Sequence, residues 1–258
     1  MAETDAAEEE APPLAIDEGL PLDRPWSWLE KGWNDFRREP AIGLLWGLGL
    51  VVACWTVTLG LVFTGKVYLL LPLSGGFFIV APLLVAGLYD TSRRLELGQQ
   101  PTLATALLAW RAPGQLALMG AVLLVLHLLW IRVALLLLML FLYGDSPTLE
   151  LLAPHLLEMR SGLSLLLVGS VIGAFFAVLA FAISAVSIPM LVDKETSAIE
   201  AVIASVRVVI EHPRTMLFWG LLIVAFCAVG LATLFFGLAI VMPVIAHATW
   251  HAYRDTVA

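Results

Sequence analysis

From residue 26 onward, long runs without charge alternate with short segments in which apolar and charged positions recur at helical spacing. A helix needs about 20 apolar residues to cross a hydrocarbon layer about 30 Å thick, where every backbone polar group must be satisfied internally. Residues 41–63, 67–89, 114–143 and 162–188 qualify, and Arg132 is the only charge inside them. Residues 215–250 carry no Asp, Glu, Lys or Arg. That run is too long for one straight helix and long enough for two, so it is divided into 215–232 and 234–252, with the turn at Gly230 or Gly237. The expected fold class is all-α: a polytopic helical membrane protein with six transmembrane helices.

The charged segments read as interfacial helices at about 26–39, 102–112, 147–160 and 197–212. In the first, Trp26, Leu29, Trp33 and Phe36 form an apolar stripe, while Glu30, Lys31, Asp35, Arg37 and Arg38 are expected on the other face, with Ser27 and Glu30 as a capping box. Leu103, Leu107 and Trp110 form the stripe of the second, and Ile199, Val202, Val206 and Val209 that of the fourth. The helix at 147–160 starts at Ser146 and Pro147, carries His155 and Glu158, and belongs to the outer surface. Sliding the chain on itself by 173 residues superposes Pro40, Trp46, Gly47 and Cys54 on Pro213, Trp219, Gly220 and Cys227, among 8 identities in 22 positions. A shift of 161 aligns Pro82 with Pro243 and Arg93 with Arg254, and Pro113 with Gly120 repeats the spacing of Pro40 with Gly47. The expected architecture is three repeats of an interfacial helix, a Pro turn and two spans.

Composition agrees with this pattern: 60% of the 258 residues are hydrophobic and 14% charged, with a mean hydropathy of +0.94. The formal charge of −7 belongs to residues 1–25, which hold eight acids and one base; residues 26–258 are neutral, with 13 of each. The tail has no apolar run, so it is expected to be disordered and is no signal peptide. A neutral body within lipid leaves no surface for nucleic acid. Eleven Lys and Arg fall on one side of the six-span scheme and only Lys66 and Arg160 on the other, which puts both termini in the cytoplasm. Cys54 and Cys227 lie inside apolar runs and read as small buried hydrophobes.

Few residues carry candidate chemistry. Arg132 lies 19 residues past Pro113, about 28 Å along a helix. It reads as a headgroup-seeking side chain, with partner docking along 133–143 and a substrate site as alternatives. Trp26, Trp33, Arg37 and Arg38 are candidates for lipid or partner contact. His247 and His251 share one helix face four residues apart, a spacing found in metal and haem ligation, yet no carboxylate or Cys lies near in sequence except Asp255. They are the weak cofactor candidates, beside an interfacial-belt reading with Trp250 and Tyr253. No nucleophile elbow, Walker loop, dinucleotide fingerprint or zinc-protease helix is present, and Gly75 with Gly76 reads as a kink or close-packing point. No enzyme, catalytic residue, metal site or cofactor is therefore expected.

The strings WSWLEKGWNDFRREPAIGLLWG, PLLVAGLYDTSRRLELGQQP, SAVSIPMLVDKE and HATWHAYR resemble an uncharacterised bacterial family of predicted integral membrane proteins classed as a domain of unknown function. Some of its members are labelled putative cytochrome c oxidase subunit. The resemblance covers about residues 25–258 and departs at Ala246, where Gly is expected. It implies no site residues. Five histidines do not supply a haem-copper core, so what it implies is an accessory, assembly or regulatory subunit of a respiratory or photosynthetic complex in the bacterial inner membrane. Its partners would be membrane lipids and other membrane-protein subunits. The alternatives are a small permease or lipid-handling protein and a haem or metal carrier.

Overall fold

A computed structural model describes residues 19–108, 113–141 and 160–257. The outer helix expected at 147–160, most of the acidic tail, and Trp110 with Arg111 lie outside the described residues. Among the described residues every element is helical: α1 (Arg24–Arg38), α2 (Pro40–Phe63), α3 (Leu70–Leu84), α4 (Ala86–Glu96), α5 (Leu103–Leu107), α6 (Pro113–Phe141), α7 (Arg160–Ser184), α8 (Ser187–Asp193), α9 (Ala198–Glu211), α10 (Pro213–Ala232) and α11 (Leu238–Thr256). Five stretches are long and apolar enough to cross a membrane: Pro40–Phe63, Val67–Glu96, Gly114–Phe141, Ser161–Asp193 and Pro213–Ala232. Their outward faces leave Leu45, Val52, Leu124, Leu128, Leu167 and Leu221 exposed, a surface that only lipid solvates cheaply.

The segment expected as a sixth span forms α11, yet it is not among those five. The reason is its second half, where His247, His251, Arg254 and Asp255 dilute the apolar run. These residues are tolerated because α11 is the most enclosed helix, packed against α1, α2, α4, α8 and α10. Glycines let its neighbours approach. A Cβ on Gly32 would fall 2.5 Å from the Ala248 nitrogen, and one on Gly47 would overlap the Ala239 carbonyl, so α1 and α2 lie backbone to backbone with α11. The turn before α11 occupies 233–237, where Leu234 and Phe235 take positive φ and Trp55 packs edge-on against Phe235.

Two expected spans are broken near one end. Residues 67–89 become a short 3-10 turn, α3 and then α4 after Val85; residues 162–188 become α7 and α8, parted at Ala185 and Val186. Pro189 explains the second break, because it offers no N–H to the Ala185 carbonyl four residues back. Ser205 of α9 repairs it. Its hydroxyl donates to the Ala182 carbonyl at 2.7 Å and accepts from the Val186 N–H at 3.1 Å.

The amphipathic segments need three corrections. The Ser27–Glu30 capping box does not form, because Pro25 starts α1 a turn earlier and Ser27 donates to the Arg24 carbonyl instead. Asp35 does not face outward: the face of α1 that docks on the bundle is Pro25, Trp28, Gly32, Asp35 and Phe36, while Trp26 and Trp33 stay exposed. In α9 the docking face is Ala198, Ala201, Ala204, Ser205 and Val208, and Ile199 of the expected stripe is exposed with Ile203 and Ile210. The start of α9 is fixed by a capping box between Ser197 and Glu200.

Ser205→Ala would leave two buried backbone groups unmet, at a cost of about 1–3 kcal/mol. The expected outcome is a lower unfolding midpoint in mild detergent, with Ser205→Thr less affected; equal midpoints for Ser205→Ala and the parent would refute the repair.

Candidate functional site

Two features could carry chemistry. One is a polar cluster at the end of the bundle where α1, α4, α8 and α11 meet. Asp35 Oδ2 accepts from Ser92 Oγ at 2.8 Å and from His251 Nε2 at 2.8 Å. With its proton on Asp35, the Ser92 oxygen accepts from His247 Nδ1 at 2.7 Å, which leaves the buried Nε2 of His247 as an unpartnered lone pair. Glu96 approaches His251 Nδ1 at 3.7 Å and Arg254 at 3.3 Å. Asp193 accepts from Arg93 at 3.1 Å and from the Tyr253 hydroxyl at 2.8 Å, and Asp90 bridges Arg93 and Arg94. Burial acts to raise the Asp35 carboxyl, but the hydrogen bonds from His251 and Ser92 and the positive potential of His251 and His247 outweigh it and hold Asp35 below the usual carboxylate range.

The second feature is an apolar cavity of about 670 Å³ between two helix groups, α3 with α6 and α7 on one side and α10 with α11 on the other. It runs from Leu71, Leu138 and Leu165 at one end to Tyr89, Ser184 and Thr249 beside the polar cluster. Small residues of α7, including Gly169, Gly173, Ala174 and Ala177, leave the room. Most polar wall groups are satisfied within the chain: Ser74, Ser184 and Thr249 donate to carbonyls one turn back, and Trp130 Nε1 donates to the Pro72 carbonyl at 2.7 Å. The wall opens sideways between α7 and α10, where Ser170, Ala174 and Val178 face the surface opposite Leu217, Leu221 and Val224. Phe181 reaches across toward Gly220.

The structure brings the pair His247 and His251 together with two carboxylates distant in sequence, Asp35 and Glu96, both on His251. Among the described residues no group of three or more His, Cys, Asp or Glu is arranged to hold a metal. Arg132 is exposed and, like Arg37 and Arg38, has no ion-pair partner among the described residues. His127 faces the Gly76 carbonyl at 3.1 Å, a packing role. Sequence reasoning missed Asp35, Ser92 and Asp193. The signal for Asp35 was a second stripe in α1, Trp28, Gly32 and Asp35, beside the Trp26 and Trp33 stripe; Ser92 and Asp193 gave none.

Asp35→Ala strands His251 and Ser92 in the interior and is expected to cost about 3–5 kcal/mol, read as a loss of thermal stability in detergent. Because the folded Asp35 carboxyl lies below its unfolded value of about 3.9, its stabilisation is complete above that pH and is lost as pH falls through the folded value. Asp35→Asn should therefore flatten the acid limb of the stability profile, and an unchanged limb would contradict this assignment.

No curated protein and no solved structure matches the chain. Residues 70–193 match a family model whose description is of a predicted integral membrane protein and names no oxidase. The matched region covers α3 to α8, with Tyr89, Asp90, Ser92, Arg93, Glu96 and Asp193, and it stops short of Asp35, His247 and His251. Residues 70–193, a little under half of the chain, are thus similar to this family of predicted integral membrane proteins, DUF2189.

Proposed function

We propose that the protein is a non-enzymatic, lipid-handling protein of the bacterial inner membrane, which takes an apolar chain from the bilayer into the cavity between its two helix groups. The observation that carries this reading is the cavity itself: about 670 Å³ of apolar space, open sideways toward the lipid-facing surface between α7 and α10. A permease for ions is disfavoured by the wall, whose hydroxyls are mostly bonded to backbone carbonyls.

The reading includes six crossings with both termini in the cytoplasm. Its support is the 2.8 Å ion pair between Arg24 and Asp255, which joins the start of α1 to the end of α11, because chain ends on one side require an even number of crossings. A 19-residue α11 is also about 28 Å long. The threefold repeat is favoured by matching junctions: Glu39 (φ −129°, ψ 59°) precedes Pro40 and His212 (φ −121°, ψ 52°) precedes Pro213, each after an amphipathic helix. A fluorescent-protein fusion after Ala258 is expected to glow and an alkaline phosphatase fusion there to be silent; the reverse pattern would remove the sixth crossing.

An accessory or assembly subunit of a larger membrane complex is the second reading. It is favoured by α6, whose 29 residues exceed the bilayer core and whose end past Arg132 leaves Leu136, Met139 and Leu140 exposed. Native mass spectrometry after extraction in mild detergent separates the two. The lipid-handling reading expects one lipid-like molecule retained per chain and its loss on Ala177→Phe, which fills the cavity; a bare chain, or one recovered only with other subunits, would favour the second reading.

A further inference from the structure

The cavity has a chemical polarity along its length. At the end beside the polar cluster, the indole N–H of Trp219, on a residue 0% exposed, is a buried donor without an acceptor, and the hydroxyl-bearing Tyr89, 2% exposed, lines the same wall. The remaining polar groups facing this end, Ser184 and Thr249, already donate to backbone carbonyls. A buried donor without a partner costs about 1–3 kcal/mol unless something supplies an acceptor. The Trp219 ring packs edge-on against Trp28 at 5.7 Å, and Tyr89 is a buried residue of α4.

Just beyond these donors stands a cation. Along α10 the cavity wall is Leu217, Leu221 and Val224, and the same stripe, stepped back three residues, reaches Arg214 in the first turn of the helix. Arg214 is exposed and has no carboxylate partner among the described residues, whereas Arg207 on neighbouring α9 is paired with Glu211 at 2.7 Å. Trp219 lies five residues past Arg214, about 8 Å deeper along the axis. The order from the boundary inward is a free guanidinium, a pair of neutral donors, then apolar wall as far as Leu138 and Leu165.

That order matches one molecule end to end. Resting on the lipid-handling reading above, we infer that the cavity binds an anionic glycerophospholipid of the leaflet on the side of the termini. Its phosphate pairs with Arg214, its ester carbonyl accepts from Tyr89 and Trp219, and one acyl chain lies in the cavity. The second chain leaves through the opening between α7 and α10, where Ser170, Ala174 and Val178 offer little obstruction. A neutral quinone would use the carbonyl donors and leave Arg214 idle.

The test is native mass spectrometry of the full chain released from bilayers that mix phosphatidylglycerol, phosphatidylcholine and ubiquinone. The expected result is one phosphatidylglycerol retained in preference to the other two, with the preference over phosphatidylcholine reduced about fivefold in Arg214→Gln, equivalent to ~1 kcal/mol. Unchanged preference in Arg214→Gln, or retention of ubiquinone instead, overturns the anionic-lipid assignment while leaving the cavity reading intact. Retention of the same lipid in Ala177→Phe would bring down both. Should Ala177→Phe unfold, Gly169→Leu serves in its place, since a Cβ at Gly169 meets no atom within 4 Å.

Discussion

One carboxylate ties three separate parts of the chain together. Asp35 is 6% exposed, on a helix that runs along the rim of the bundle, and both its hydrogen-bond donors come from elsewhere, Ser92 from α4 and His251 from α11. A buried acceptor of this kind is costly to leave unmet, so the position of α1 on α11 is specified to within hydrogen-bond tolerance. The backbone contact at Gly32 and the Trp28 indole, which donates to Asp255 at 2.7 Å, repeat the same instruction one turn and two turns away. The apolar faces alone would tolerate sliding. The polar contacts select one register, and the cavity inherits its shape from that choice because Met242, Ile245 and Thr249 on the same helix form its wall.

The bilayer imposes the complementary rule. Wherever the backbone stops being helical within the apolar body, something must take up the freed groups, and Ser205 does so at the junction of α7 and α8. The consequence reaches beyond one hydroxyl. By docking on that break, α9 is held against α7, and α9 in turn leads into α10 through Pro213. The two walls of the lateral opening are thus set apart by a helix that touches both, so α7 and α10 need no extensive contact of their own.

Much of this was legible in the sequence, and the rest was hidden for identifiable reasons. Runs of 20 or more uncharged residues fixed α2, α6 and α10 to within two residues at their starts, because Pro40, Pro113 and Pro213 each open a helix after a change from amphipathic to apolar pattern. The breaks before α4 and α8 were not visible: the apolar pattern runs straight through Val85 and Val186, and Pro189 alone does not say which side of it bends. The site was the least legible part. His247 and His251 were visible as a pair, but what they bind is 216 residues from His251 and 155 from His247, and no local pattern encodes a contact of that range. The cavity was invisible too, since it arises from small residues on α7 opposite large ones on α10, and each pattern taken alone reads as ordinary packing.

The long separation between Asp35 and His251 also has a meaning in time. A ribosome adds roughly 5–20 residues per second, so the 216 residues between them take on the order of 10–40 s to make. For all of that interval α1 exists without α11, and the carboxylate it will bury must remain in water. Its exposed indoles, Trp26 and Trp33, give the young helix a place to rest at the membrane surface meanwhile. The first helix synthesised is therefore among the last to be locked, and the bundle closes when its two ends meet.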